Sequence, residues 1–90
     1  MKPADVIRFN RKKIDKISEK MVELVHERDA AVIKIGKAKK KLKLPIINLK
    51  RERETLQIAK KIAKKKGVDT RVIEKIIKIL ISHSKKLEGE

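Results

Sequence analysis

The sequence predicts an all-α fold: three helices, one long and two shorter, forming an intertwined homodimeric bundle. Three observations lead there. Apolar residues recur at helical spacing, and no run alternates with a period of two for long enough to make a strand. Pro3, Pro45 and Gly67 divide the 90 residues into three segments. The first segment is too long for the other two to cover.

That first helix is expected over residues 5–42. At about 1.5 Å per residue it spans about 57 Å, more than a domain of this size measures across. Its apolar stripe is regular. Ile7, Ile14, Met21, Ile35 and Leu42 share one heptad position, and Ile17, Leu24, Ala31 and Ala38 fill the companion position. A helix of this kind pairs with its own copy. The second helix is expected over 49–66, with Asn48 as N-cap and Gly67, after Lys64-Lys65-Lys66, as C-cap. Asp69 has the chemistry to cap the third, over 70–87. No internal repeat or low-complexity linker interrupts the pattern, so residues 1–90 are read as one domain.

Composition narrows the function. A chain this short buries only about 60% of its unfolded surface. It contains no cysteine, so neither disulfides nor thiolate zinc sites staple it, and oligomerisation remains as the stabiliser. The formal charge is +15, from 27 Lys and Arg against 12 Asp and Glu, which favours anionic partners. Most of these lysines read as solvated helix faces. The abundance of Ile and Lys and the scarcity of Asn and Gln also fit a heat-adapted source. The opening MKPADVIRFNRKK has no apolar leader region, and no stretch is long enough for a membrane span. A cytoplasmic protein without membrane contact is expected. His26 and His83 lack metal-ligand spacing, so neither metal nor cofactor is expected.

The informative residues are charges placed where the pattern asks for hydrophobes. Arg28 occupies the heptad position of Met21 and Ile35. An arginine there keeps its charge and must meet an anion; an ion pair to Glu27, Asp29 or a partner chain is the structural alternative. Lys39 follows eleven residues later, about 16 Å along the axis and rotated only about 20°, so the two long side chains suit a small dianion between them. Read alone, within Lys37-Ala38-Lys39-Lys40-Lys41, Lys39 is ordinary solvated surface. Gly36 costs about 1 kcal/mol relative to alanine in mid-helix, which close approach of a ligand or another backbone would explain. Arg11 lies about 25 Å before Arg28 and about 100° round the helix. The two cannot share a small ligand on one helix, but across an antiparallel dimer they can.

On the second helix Glu52 interrupts the face made by Leu49, Leu56, Ala59 and Ala63, and Arg51 heads the adjacent row. An acid in a first turn also suits the helix dipole. On the third helix Ile73, Ile77 and Ile81 give way to Ser84 and Glu88 on one face, where fraying is the plainer explanation for Glu88. Taken together, all three helices bring polar groups to apolar faces, the pattern of an anion pocket inside a bundle.

At Arg11-Lys12-Lys13-Ile14, ERDAAVIKIGKAK (Glu27 to Lys39) and PIINLKRERETL (Pro45 to Leu56), the chain resembles the all-helical chorismate mutases, over about residues 8–88. The resemblance implies an intertwined dimer with two active sites that converts chorismate to prephenate on the route to phenylalanine and tyrosine. It also implies the roles. Arg28 grips one substrate carboxylate with help from Ser84. Arg11 reaches the other carboxylate from the partner chain, where Lys39 also contacts the ether oxygen of the breaking bond. Arg51 supports anion binding, and Glu52 accepts from the ring hydroxyl.

Two positions depart from the family pattern. Asn48 stands where many members carry aspartate, and its backbone N–H survives the change. Glu88 stands where many carry glutamine beside the ether oxygen. A carboxylate cannot donate there and only the protonated acid substitutes, so turnover is expected to be better at acid pH. Lys85, near the end of the same helix, is a further unexpected charge. An isochorismate-pyruvate lyase would need much the same pocket. A basic helical nucleic-acid-binding protein fits the charge, but aromatics are 1% of the chain and leave nothing to stack on bases, so no nucleic-acid partner is expected.

Overall fold

In a computed structural model that describes residues 1–89, the chain forms three α-helices. Helix α1 runs Pro3–Leu42, α2 Leu49–Lys66 and α3 Thr70–Glu88, and no strand occurs among the described residues. Glu90, the last residue of the expected domain, lies outside them. The expected boundaries hold to within two residues. Helix α1 starts at Pro3 rather than at residue 5, because a proline in the first turn gives up an N–H that would have no helical partner.

The helix ends are set by local chemistry. Asn48 Oδ1 accepts from the Arg51 N–H at 3.1 Å, and Asp69 Oδ1 accepts from the Arg71 N–H at 2.9 Å; both residues are N-caps. Helix α2 stops at Gly67, whose φ of 71° is left-handed. The N–H groups of Val68 and Gly67 return to the carbonyls of Ala63 and Lys64 at 2.8 and 3.3 Å, the paired bonds of a Schellman end. Helix α1 ends the same way without glycine. Lys43 takes a φ of 55°, and the N–H groups of Leu44 and Lys43 reach the carbonyls of Lys39 and Lys40 at 2.9 and 3.2 Å.

The backbone divides into two units, Met1–Ala31 and Val32–Glu90, with the boundary inside α1. The first unit is helix alone. None of its residues is buried, and Ile7, Ile14, Ile17, Met21 and Leu24 all stand exposed along the heptad stripe. The second unit joins the end of α1 to α2 and α3. Its buried apolar side chains are Val32 and Ala63, at 8% and 4% exposure. Gly36 is buried as well: a Cβ there would lie 3.0 Å from Glu88 Cα. Of the two explanations for this glycine, close approach of another backbone is the one the fold supplies. On the solvent side of α3, Lys78 lies 3.2 Å from Glu74 and its hydrogen bond and charge hold that carboxyl below its ordinary range.

Candidate active site

In the C-terminal unit, Lys39, Ile46, Glu52, Lys85 and Glu88 form two polar clusters. Lys39 leaves α1 three residues before its end, and its side chain is 21% exposed. Its Nζ donates to the Ile46 carbonyl at 2.9 Å, fixing the lysine against the Pro45 turn. The same Nζ lies 2.7 Å from Glu88 Oε1. Glu88 is only 8% exposed, so the last residue of α3 is held against α1 and does not fray. The pair is close, yet its angles fall short of a hydrogen bond, and Oε1 has no hydrogen-bond partner. A buried carboxylate and ammonium in this arrangement each satisfy the other's charge while keeping directional hydrogen bonds in reserve.

The second cluster joins α2 to α3. Lys85 Nζ donates to Glu52 Oε1 at 3.2 Å. Glu52 Oε2 is buried and has no partner. The interruption of the α2 apolar face is thus matched by a lysine on the facing helix. Composition and periodicity flagged both charges but did not join them, since the partners lie 33 residues apart. The usable signal was two opposite charges, each on the inward face of neighbouring helices.

The other expected site residues are placed as follows. Asn48 spends its side chain on the α2 cap, and its carbonyl accepts from the Glu52 N–H at 3.0 Å, so cap and carboxylate are built as one turn. Arg51 is exposed and lies 3.7 Å from Glu54, a loose surface pair that leaves the guanidinium available. Ser84 is half-buried, and its hydroxyl donates to the Leu80 carbonyl at 2.8 Å. Arg11 and Arg28 belong to the N-terminal unit. Arg28 is half-buried and makes a polar contact there or beyond, whereas Arg11 is exposed beside Ile7, Arg8 and Asp15. Among the described residues no three of His, Cys, Asp and Glu gather as metal ligands would.

The all-helical frame turns two lysines and two carboxylates inward, Lys39 with Glu88 and Lys85 with Glu52. The sequence pattern of the chorismate mutase type II family matches residues 10–89. A chorismate mutase from Methanocaldococcus jannaschii is 36% identical over 80 residues, which cover 89% of this chain and 81% of that protein. The chain belongs to the chorismate mutase type II family, and it is an enzyme of the isomerase class.

Proposed function

We propose that this chain rearranges chorismate to prephenate as a homodimer, with Arg11 of one protomer completing the site of the other. Residues 1–90 act as a single chorismate mutase domain in this reading, in the cytoplasm, without cofactor, metal or nucleic acid. The observation that carries it is Lys39: a largely buried lysine, fixed by the Ile46 carbonyl and facing an anion. A cation held in this way has little left to reorganise when a negative oxygen replaces the carboxylate it now faces.

The chemistry asks for no more than the chain offers. The rearrangement is pericyclic: one C–O bond breaks as one C–C bond forms within the same molecule, so no nucleophile or general base takes part. Arg28 and Arg11 clamp the two carboxylates and hold the flexible substrate folded, which is proximity catalysis. Lys39 stabilises charge developing on the ether oxygen. Arg51 adds to the anion field, and the unpartnered Oε2 of Glu52 accepts from the ring hydroxyl. Ser84 turns its hydroxyl from Leu80 to the carboxylate that Arg28 grips. Asn48 holds the α2 turn that carries Glu52. Glu88 must release Lys39 for substrate to bind, and in its protonated form it donates to the same ether oxygen.

The exposed stripe of the N-terminal unit supports the dimer. Ile7, Ile14 and Met21 are each more than half exposed, and a stripe of that length in water calls for an apolar partner.

The test is loss of chorismate absorbance with purified protein, with prephenate identified as product and mass measured by sedimentation. Conversion by a dimer supports the reading. Release of pyruvate from isochorismate, without conversion of chorismate, would replace it with the lyase.

A further inference from the structure

The geometry points to Lys85 as a positioning residue for Glu52, one that dedicates a single carboxylate oxygen to a hydroxyl-bearing ligand. This deepens the proposed function and rests on its assignment of Glu52 to the substrate's hydroxyl.

The two oxygens of Glu52 are treated differently. Oε1 is tied to Lys85 Nζ at 3.2 Å. Oε2 is sealed from solvent and has no donor. A pair that served only to join α2 to α3 would satisfy both oxygens or leave the second one in water, because a buried acceptor without a donor is costly. Here that cost is offset when a donor arrives at Oε2, and in the proposed function that donor is the substrate's O–H. Each charge also sits at the helix end whose dipole it complements. Glu52 sits in the first turn of α2, at the positive end of its dipole, and Lys85 sits in the last turn of α3, at the negative end.

An ionised carboxylate has acceptors and no donor. A Glu52 carboxylate oriented by Lys85 therefore accepts from a hydroxyl and rejects an ether or carboxylate oxygen at the same place. Of the neighbouring charges, Lys39 and Glu88 engage each other, and Arg51 stands exposed beside Glu54. Lys85 thus stands as the cation that orients Glu52. It touches no reacting atom, and its effect belongs in substrate binding more than in the chemical step.

Five proteins test this: wild type, Glu52→Ala, Lys85→Met, Lys85→Arg and the Glu52→Ala/Lys85→Met double variant, each checked for thermal unfolding and then assayed for kcat and KM on chorismate. Glu52→Ala is expected to raise KM about tenfold or more. Lys85→Met is expected to raise KM about five- to tenfold with kcat within about twofold of wild type. Lys85→Arg should recover most of the loss, since it restores the charge. The double variant should be no worse than Glu52→Ala alone, because Lys85 acts through Glu52. A Lys85→Met enzyme with wild-type KM, or one whose penalty adds in full to that of Glu52→Ala, overturns the inference while leaving Glu52 at the substrate. A silent Glu52→Ala instead removes Glu52 from the site, and the role of Lys85 falls with it. Should Lys85→Met not fold, Lys85→Gln is judged by the same two criteria.

Discussion

From Met1 to Ala31 the chain is helix with nothing buried; from Val32 onward the end of α1, α2 and α3 enclose a small core of their own. The two units differ in charge, with 8 Lys and Arg against 6 Asp and Glu in residues 1–31 and 19 against 6 in residues 32–90, and they satisfy their apolar residues by different means. In the C-terminal unit, Val32, Gly36 and Ala63 are small enough to let helices close, and each is buried. Large apolar residues stand exposed in both units, Ile58, Ile62 and Ile79 in the second among them, but in the N-terminal unit they follow a heptad stripe and no residue is buried. The contrast bears on the proposed dimer, in which a second copy would cover the N-terminal stripe while the C-terminal unit keeps a small core of its own.

The stripe is where this contrast breaks first if it is wrong. Ile14→Ala and Leu24→Ala are each expected to destabilise the folded protein by about 2–5 kcal/mol, the cost of truncating a packed core residue. In wild type and both variants the unfolding midpoint should rise with protein concentration, as mass action requires when unfolding separates two copies. Were the stripe bathed in solvent in the working enzyme, as it is in a single chain (Ile14 59%, Leu24 61% exposed), each change would cost within about 0.5 kcal/mol. Chemical denaturation at several protein concentrations separates these outcomes.

The proposed cations compare the units by activity. Arg28→Ala in the first and Lys39→Ala in the second are each expected to lower kcat/KM about 10²- to 10³-fold, the scale for removing one preorganised charge. The dimer should persist in sedimentation, since neither residue supplies apolar burial. Near-normal turnover in either variant rejects its role. Glu88 sharpens the same comparison from the other side of the ion pair. As a carboxylate it competes with substrate for Lys39 at 2.7 Å; an amide would free Lys39 and add a donor. Both effects have one sign, so Glu88→Gln should raise kcat/KM about tenfold. A Glu88→Gln enzyme that matches wild type would sink the role.

Much of this was legible locally and little of it at a distance. Asn48, Asp69 and Gly67 announce their caps because capping is decided within four residues. The 40-residue length of α1 follows from an unbroken heptad register between prolines. By contrast, Lys85 and Glu52 read as isolated oddities, because which face of α3 meets α2 depends on packing that no short stretch encodes. Gly36 left two explanations open until Glu88 was found against it. The non-glycine end of α1 was not legible at all, since Lys43 is not a residue that favours left-handed backbone.

The smallest expected effects lie in the C-terminal unit, where the helices meet and turn. At Gly36 an added methyl contributes helix propensity of about 1 kcal/mol but meets the Glu88 backbone at 3.0 Å, and overpacking of this kind costs about 1–3 kcal/mol. The balance predicts a net loss of about 1 kcal/mol for Gly36→Ala in urea denaturation. A gain would show that the end of α3 moves aside freely.

Lys43 reverses the logic. It and Gly67 perform the same Schellman turn at φ of 55° and 71°, but a lysine there carries a left-handed penalty of about 1–2 kcal/mol. Lys43→Gly removes that penalty and adds about 0.4–1 kcal/mol of unfolded-chain entropy to be lost. The difference predicts stabilisation of about 0.5 kcal/mol, measurable as a shift in the urea midpoint with an unchanged slope. Loss of stability instead would mean that the lysine side chain contributes more at the end of α1 than its backbone costs.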